Sequence, residues 1–217
     1  MNVTPSQPCL DPAAIERQSF AIIDAEVPKP RPFQDGQWEV ARRLIHTSAD
    51  FELLNLLRFS PRAVDAGVAA LRSGAIVVTD TRMCQAGIPM RRLEPLGCST
   101  VCYMDDPELA ARARERGVTR ASLAVDQATA LEGPLIFVIG NAPTALLQLL
   151  DHMEQGLAQP ELVIGMPVGF VNAAESKERL MAFQGGEFIA IKGRKGGSAL
   201  AAACVNALAE LALRATR

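Results

Sequence analysis

The chain has only two histidines, and one of them keeps company suited to moving protons. His46 follows Arg42 and Arg43 and precedes Thr47, Ser48 and Asp50, at the end of a stretch with helical spacing. An imidazole titrates near neutrality and serves as acid or base without large tuning. If the helix continues one more turn, Asp50 lies four residues on, where it would orient the ring or favour its charged form. A histidine that merely complements the helix dipole fits the same pattern, and residue types alone leave both readings open. His152 differs. It comes late in an amphipathic stretch beside Asp151 and Glu154 and reads as a solvated surface residue.

The other chemically capable residues collect in four loops, each directly after an apolar run: Asp80-Thr-Arg-Met, Gly140-Asn-Ala-Pro-Thr, Gly165-Met-Pro-Val-Gly-Phe-Val-Asn and Gly193-Arg-Lys-Gly-Gly-Ser. If the runs are parallel strands, all four loops lie at their carboxyl ends, where open α/β sheets bind ligands. Each loop opens a helix, so free N–H groups would favour anionic groups there. Tight strand-to-helix turns need similar residues, but four such loops together favour a binding crevice. Asn141, Thr144, Ser176, Lys177, Arg194, Gly196 and Ser198 are the candidate contacts. Asn172 with Glu175 approximates a capping box. Lys177 falls in a first helical turn, where the dipole disfavours a cation, a hint of an anionic partner.

Several chemistries find no support. The Gly193 loop lacks the spacing of a P-loop, no G-x-G-x-x-G follows a strand, and G-x-S-x-G is absent. The five cysteines, Cys9, Cys84, Cys98, Cys102 and Cys204, include no C-x-x-C pair. Cys98 and Cys102 have no matching histidine pair, so no metal site is expected, and the thiols read as reduced. With 22 basic and 24 acidic residues the net charge is −2, which leaves no electrostatic footprint for nucleic acid. Pro5, Pro8 and Asp11 stand where an export signal would need an apolar run. The apolar stretch from Ala199 to Val205 is too short to span a membrane. A cytoplasmic protein is expected.

The elements that would position these residues can be read from period and punctuation. Asp11-Pro12 opens a helix running to about Glu26, Pro28, Pro30 and Pro32 force an extended linker, and a second helix runs from about Gln37 into His46. Next come a helix from Arg62 to Arg72, a strand from Ala75 to Thr79 and a strand from Thr100 to Met104. Helices follow from Asp106-Pro107 to Gly117 and from Thr119 to Leu131. Leu135 to Ile139 is apolar throughout, which suits a strand buried on both faces. A helix from Pro143 to Gln155, a strand at Leu162 to Ile164, a helix from Asn172, a strand at Phe188 to Ile191 and a helix from Ala199 to Arg214 complete the order. Strands alternating with long helices imply a mostly parallel sheet in a three-layer α/β/α fold. The 217 residues are 49% hydrophobic and only 5% aromatic, enough for one sizeable core built from Ala, Leu, Val and Ile. One domain is expected over residues 1–217, with a helical segment at about 11–48 and an α/β core at about 51–214.

Ser19-Phe20, Arg43-Leu-Ile-His-Thr-Ser-Ala-Asp-Phe51, Asp80-Thr-Arg-Met83, Gly140-Asn-Ala-Pro-Thr-Ala-Leu146, Gly165-Met-Pro-Val-Gly-Phe-Val171, Ala174-Glu-Ser-Lys177 and Gly193-Arg-Lys-Gly-Gly-Ser198 together resemble the precorrin-8X methylmutase (precorrin isomerase) family, in order and from about Ser19 to Leu208. The resemblance implies a flavodoxin-like fold and a homodimer with active sites near the subunit interface. It implies migration of a methyl group from C11 to C12 of a tetrapyrrole, precorrin-8X or cobalt-precorrin-8, giving hydrogenobyrinic or cobyrinic acid. The family's catalytic histidine falls on His46, and its substrate-contacting serine and arginines on Ser19, Arg43 and Arg120. Ile45-His-Thr-Ser-Ala-Asp, Asp80-Thr and Cys102-Tyr look closer to the branch that handles the cobalt form. Gln184-Gly-Gly-Glu187 departs from the family pattern and is expected only to reshape a loop. Such a shift needs no redox partner, nucleotide or catalytic metal, hence no cofactor. It needs one proton donor and a cavity that holds the migrating carbon in line. A corrinoid carrier without turnover would need the arginines and loops but not His46.

Overall fold

Apolar residues alternate along each central strand, and the alternation separates two packed faces. Val77, Ile136, Val138, Leu162, Ile164, Ile189 and Ile191 join one core cluster. Their neighbours Val78, Phe137, Ile139, Val163, Phe188 and Ala190 join the other. A parallel sheet covered on both sides demands this double burial.

The computed structural model describes residues 11–214; Pro5, Pro8 and Cys9, with the expectations attached to them, lie outside the described residues. Helix α1 (Pro12–Glu26) starts as the sequence suggests, the Asp11 carboxylate accepting from Ala13 and Ala14 N–H. An extended linker leads to α2 (Asp35–Ser48), longer at both ends than its sequence pattern, then to the short α3 (Leu53–Leu56). Strand β1 (Leu57–Phe59) follows, then α4 (Ala63–Arg72) and β2 (Ile76–Thr79). Next are α5 (Arg82–Ala86), α6 (Met90–Leu93), a 3-10 turn at Glu94–Leu96, and β3 (Ser99–Val101), which is shorter than expected. Helix α7 (Pro107–Arg116), capped by Asp106 and stopped by left-handed Gly117, precedes α8 (Arg120–Ala128) and β4 (Leu135–Ile139). The chain closes with α9 (Pro143–Glu154), β5 (Leu162–Gly165), α10 (Ala173–Ala182), β6 (Phe188–Ile191) and α11 (Ser198–Arg214).

The sheet order is β1-β6-β5-β4-β2-β3. Counted among β2 to β6 alone, which all pair parallel, the order is 2-1-3-4-5. That is the flavodoxin-like arrangement, with its switch point between β2 and β4. The sequence did not reveal β1, which pairs antiparallel with β6 at the sheet edge. Helices α2, α4 and α11 cover one face, and α8, α9 and α10 the other. Small residues let these layers meet: a Cβ on Gly67 of α4 would stand 2.8 Å from a Leu162 methyl and 3.0 Å from one of Leu208. Among the described residues no helix is long and apolar enough to cross a membrane.

Helix α10 carries an ionisable group into the interior. Lys177 is 0% exposed, and its ammonium donates to the Lys195 carbonyl at 2.6 Å. It thereby fastens the loop after β6 from beneath. Burial pulls its pKa down to about 8 from the ordinary 10.5, because the charged form loses its hydration. Asn172 precedes the helix with a left-handed backbone (φ 59°) and no side-chain cap bond, so the expected capping box does not form. Between about pH 8 and the ordinary lysine value, the unfolded chain holds a proton that the folded chain has released. Stability therefore gains from rising pH across that window. Urea unfolding should show wild type gaining on Lys177→Met by up to about 1.4 kcal/mol per pH unit there; a pH-independent difference would refute the assignment.

Candidate active site

Helix α1 rests on α2 with only Ile23 buried, so specific polar contacts fix its placement. The Ser19 hydroxyl lies 2.7 Å from His46 Nδ1. One turn away on both helices, Glu16 accepts from Arg43 at 2.6 Å. At the far end of α1, Asp24 takes Trp38 Nε1 at 3.0 Å and Arg42 at 2.9 Å. The Phe20 ring meets the His46 ring edge to face at 5.2 Å, while the Arg42 and Arg43 guanidiniums stand 4.5 and 5.0 Å from its centre. Ser19, Phe20, Arg43 and His46, as the family resemblance groups them, thus come together.

Arg43 is only 7% exposed, and its two terminal nitrogens are committed to Glu16 and, also at 2.6 Å, to Glu210 of α11. Glu210 in turn accepts Arg92 at 2.8 Å. Burial raises the Glu16 carboxyl, but the hydrogen bond and charge of Arg43, helped by Arg92 and His46, outweigh it and hold the group below the ordinary glutamate range. Both terminal nitrogens of this enclosed guanidinium, which the family resemblance assigns to substrate, are thus held by carboxylates of its own chain. Glu16 and Glu210 carried no motif signal, because their partner lies 27 and 167 residues away in sequence.

Asp50 does not hold His46. Helix α2 ends at Ser48 with Ala49 left-handed (φ 53°), which turns Asp50 away to pair with Lys195 at 2.5 Å; Glu52 takes the same ammonium at 2.6 Å. His46 Nε2 has no hydrogen-bond partner among the described residues, its Nδ1 being with Ser19. If Nδ1 accepts the Ser19 proton, or if the ring is an imidazolium, Nε2 carries N–H outward. His152 is also not a surface residue: its Nε2 bridges to Asp126 at 2.7 Å and Gln148 at 3.1 Å, tying α9 to α8.

The four expected loops do share the carboxyl edge. At the switch point, however, the anion is internal: the buried Asp80 carboxylate accepts N–H from Gly140 at 3.0 Å and from Asn141 and Ala142 at 2.7 Å. Burial raises its carboxyl pKa although the three N–H groups favour ionisation. The loop N–H groups that lead into α9 are therefore taken. Ser198 meets Thr81, and Thr144 meets Thr119, each at 2.8 Å. Gly196 serves backbone contact, since a Cβ there would stand 2.1 Å from the Met166 carbonyl. Gly197 N–H bonds that same carbonyl at 2.9 Å. Ser176 and Lys177 are 0% exposed, Ser176 donating to the Ala173 carbonyl and Lys177 to that of Lys195. Arg120, Asn141 and Arg194 remain exposed, Arg120 touching the Met104 carbonyl at 3.3 Å and Arg194 standing over the Phe170 ring at 5.3 Å.

A cavity of about 1000 Å³ opens elsewhere, lined by Ser60, Arg62, Glu161, Glu187 and the Gln184-Gly-Gly segment, and none of the candidate residues lines it. The segment that departs from the family pattern thus lines a cavity that none of the candidate residues lines. Lys195, next to Arg194 in the loop after β6, reaches Asp50 and Glu52 just past the end of the helix that carries His46.

The sequence profile of the precorrin-8X methylmutase family matches residues 14–211. A relative from Priestia megaterium named cobalt-precorrin-8 methylmutase is 44% identical over 94% of this chain and 89% of its own. One from Pseudomonas aeruginosa named precorrin-8X methylmutase is 45% identical over 92% of this chain and 95% of its own. The crystal structure of a Thermus thermophilus precorrin-8x methyl mutase superposes with a TM-score of 0.85 at 43% identity, covering 93% of this chain and 98% of that one. Agreement in profile, sequence and backbone over nearly the full length leads to one conclusion: the chain belongs to the precorrin-8X methylmutase family.

Proposed function

We propose that this protein is an isomerase of cobalamin biosynthesis that moves a methyl group from C11 to C12 of precorrin-8 or its cobalt form. The observation that carries the chemical part is the Ser19–His46 pair, which occupies Nδ1 and leaves Nε2 open. A proton lent or hydrogen-bonded by Nε2 to the ring C region draws electron density toward C12. The C11–CH₃ bond breaks as the C12–CH₃ bond forms, and the proton returns. Atoms and electrons balance within the substrate. Arg120 and Arg194, exposed at the carboxyl edge, suit its acetate and propionate groups through paired N–H donors. Relatives carrying the metal-free and the cobalt names match at 45% and 44%, so both substrate forms belong in the assay.

We further propose that the chain works in the cytoplasm as one domain and as a homodimer. Phe170 is 82% exposed, Val171 77% and Met83 73%, all in segments that follow strands at the carboxyl edge. A second copy would cover them and supply the wall that the open site lacks. No observation favours a carrier over an enzyme.

Absorption spectra of precorrin-8 and cobalt-precorrin-8 mixed with protein should change to the corrin chromophore with wild type. With His46→Ala the change should slow by about 10²- to 10⁴-fold, the usual contribution of a positioned general acid. Unchanged turnover in that variant would remove His46 from the mechanism, and binding without conversion by wild type would favour the carrier. In light scattering, Phe170→Asp should shift the protein from dimer toward monomer; an unaltered dimer would mean another surface forms it.

A further inference from the structure

We infer that Arg43 is a positioning residue, which with Glu16 and Glu210 sets the placement of α1 at which Ser19 meets His46. The inference rests on the proposed role of His46 and asks what keeps that histidine in register. Four charged groups alternate in sign across four helices: Glu16 of α1, Arg43 of α2, Glu210 of α11 and Arg92 of α6. Arg43 is an inner member, in contact with carboxylates on both sides.

Geometry links this chain to the catalytic pair. Glu16 and Ser19 are one turn apart on α1, and Arg43 and His46 are one turn apart on α2, so the ion pair and the hydroxyl–imidazole contact are adjacent rungs between the same two helices. Helix α1 buries a single residue, and packing alone leaves its rotation and height loosely set. Asp24 anchors the far end of the helix, and at the end that carries Ser19 a planar guanidinium gripping one carboxylate on each side sets the spacing, since its donors have a rigid geometry. Phe20 adds a second link, with its ring against His46 and both guanidiniums beside it. An arginine contacting substrate would instead need an open face toward a ligand, and Arg43 is nearly enclosed.

The two roles give opposite kinetics. Loss of a substrate anchor raises KM with kcat kept, whereas loss of alignment lowers kcat with KM kept. The full-length protein is assayed with precorrin-8 and its cobalt form as Glu16→Gln, Arg43→Lys, Ser19→Ala, the Glu16→Gln/Ser19→Ala double variant and His46→Ala. Circular dichroism melting and ¹⁵N shifts of the His46 ring accompany the assay. Glu16→Gln, at a half-exposed side chain, serves even if Arg43→Lys does not fold. The expected result for Glu16→Gln is a kcat lower by about 10- to 100-fold, on the scale of a small misplacement of reacting groups, with KM within about twofold. The His46 ring shifts should move, and the double variant should be no slower than Ser19→Ala. A raised KM at unchanged kcat, or losses that multiply in the double variant, would overturn the positioning role. Full activity in His46→Ala would sink the underlying reading instead, which distinguishes the two failures.

Discussion

The Asp80 carboxylate, buried between the ends of β2 and β4, is the interaction on which the carboxyl edge depends. In a sheet of this order the switch point is where neighbouring crossovers diverge to opposite faces and leave a crevice. Backbone N–H groups at the start of α9 aim into it and require an acceptor. Here Gly140, Asn141 and Ala142 all give their N–H to Asp80, so the fold supplies its own anion at a place where open α/β sheets can bind a ligand. Ionised carboxylate in such a place loses water but gains three aligned donors. The Ser19–His46 pair lies elsewhere, on the helical layer formed by α1 and α2.

That layer is assembled differently from the rest. Helices packed on the sheet bury broad apolar faces; α11 alone hides Ala201, Ala202, Ala203, Cys204 and Val205 in succession. Helix α1 hides only Ile23 and relies on Asp24, Glu16 and Ser19 for its contacts with α2. Partly enclosed ion pairs add little net stability, because desolvation offsets their attraction. What they supply is geometry, since each donor and acceptor meets in one arrangement only. A helix held this way is suited to carry a residue whose position matters more than its burial.

Much of the fold was legible because local physics and tertiary structure agree there. Asp11 and Asp106 cap the helices that their sequence positions announce, Gly117 ends one, and Leu135–Ile139 is the central strand its unbroken apolar run requires. Strand β1 was not legible: three residues at an edge, one face exposed, show no period. Nor was the succession of short turns from Arg82 to Leu96, each under six residues. In the site, His46 stood out because its type is rare and its neighbours are polar. Its partner did not follow from spacing. Asp50, four residues on, looked suitable until the left-handed Ala49 turned it away, and Ser19, 27 residues back, reaches the ring only because α1 lies across α2. Lys177 and His152 were misjudged for a related reason. A helical pattern tells which face is apolar, but not that a polar side chain on its border will find a carbonyl or carboxylate inside.

The two halves of the site are not independent. Lys195 reaches from the loop after β6 to Asp50 and Glu52, just past the end of the helix that carries His46. Beneath the same loop, the Lys177 ammonium holds the Lys195 carbonyl. Beside it, Gly169 N–H donates to the Arg194 carbonyl at 3.2 Å, and Gly197 N–H to Met166. The loop bearing Arg194 is therefore gripped by its backbone from the β5 side and by a side chain from the α2 side. Arg194 itself stays exposed at the end of this frame. A long basic side chain on a fixed base can meet a partner without binding also having to order the backbone. His46 shows the converse, a ring held through one nitrogen by the Ser19 hydroxyl, with the other nitrogen unpartnered among the described residues.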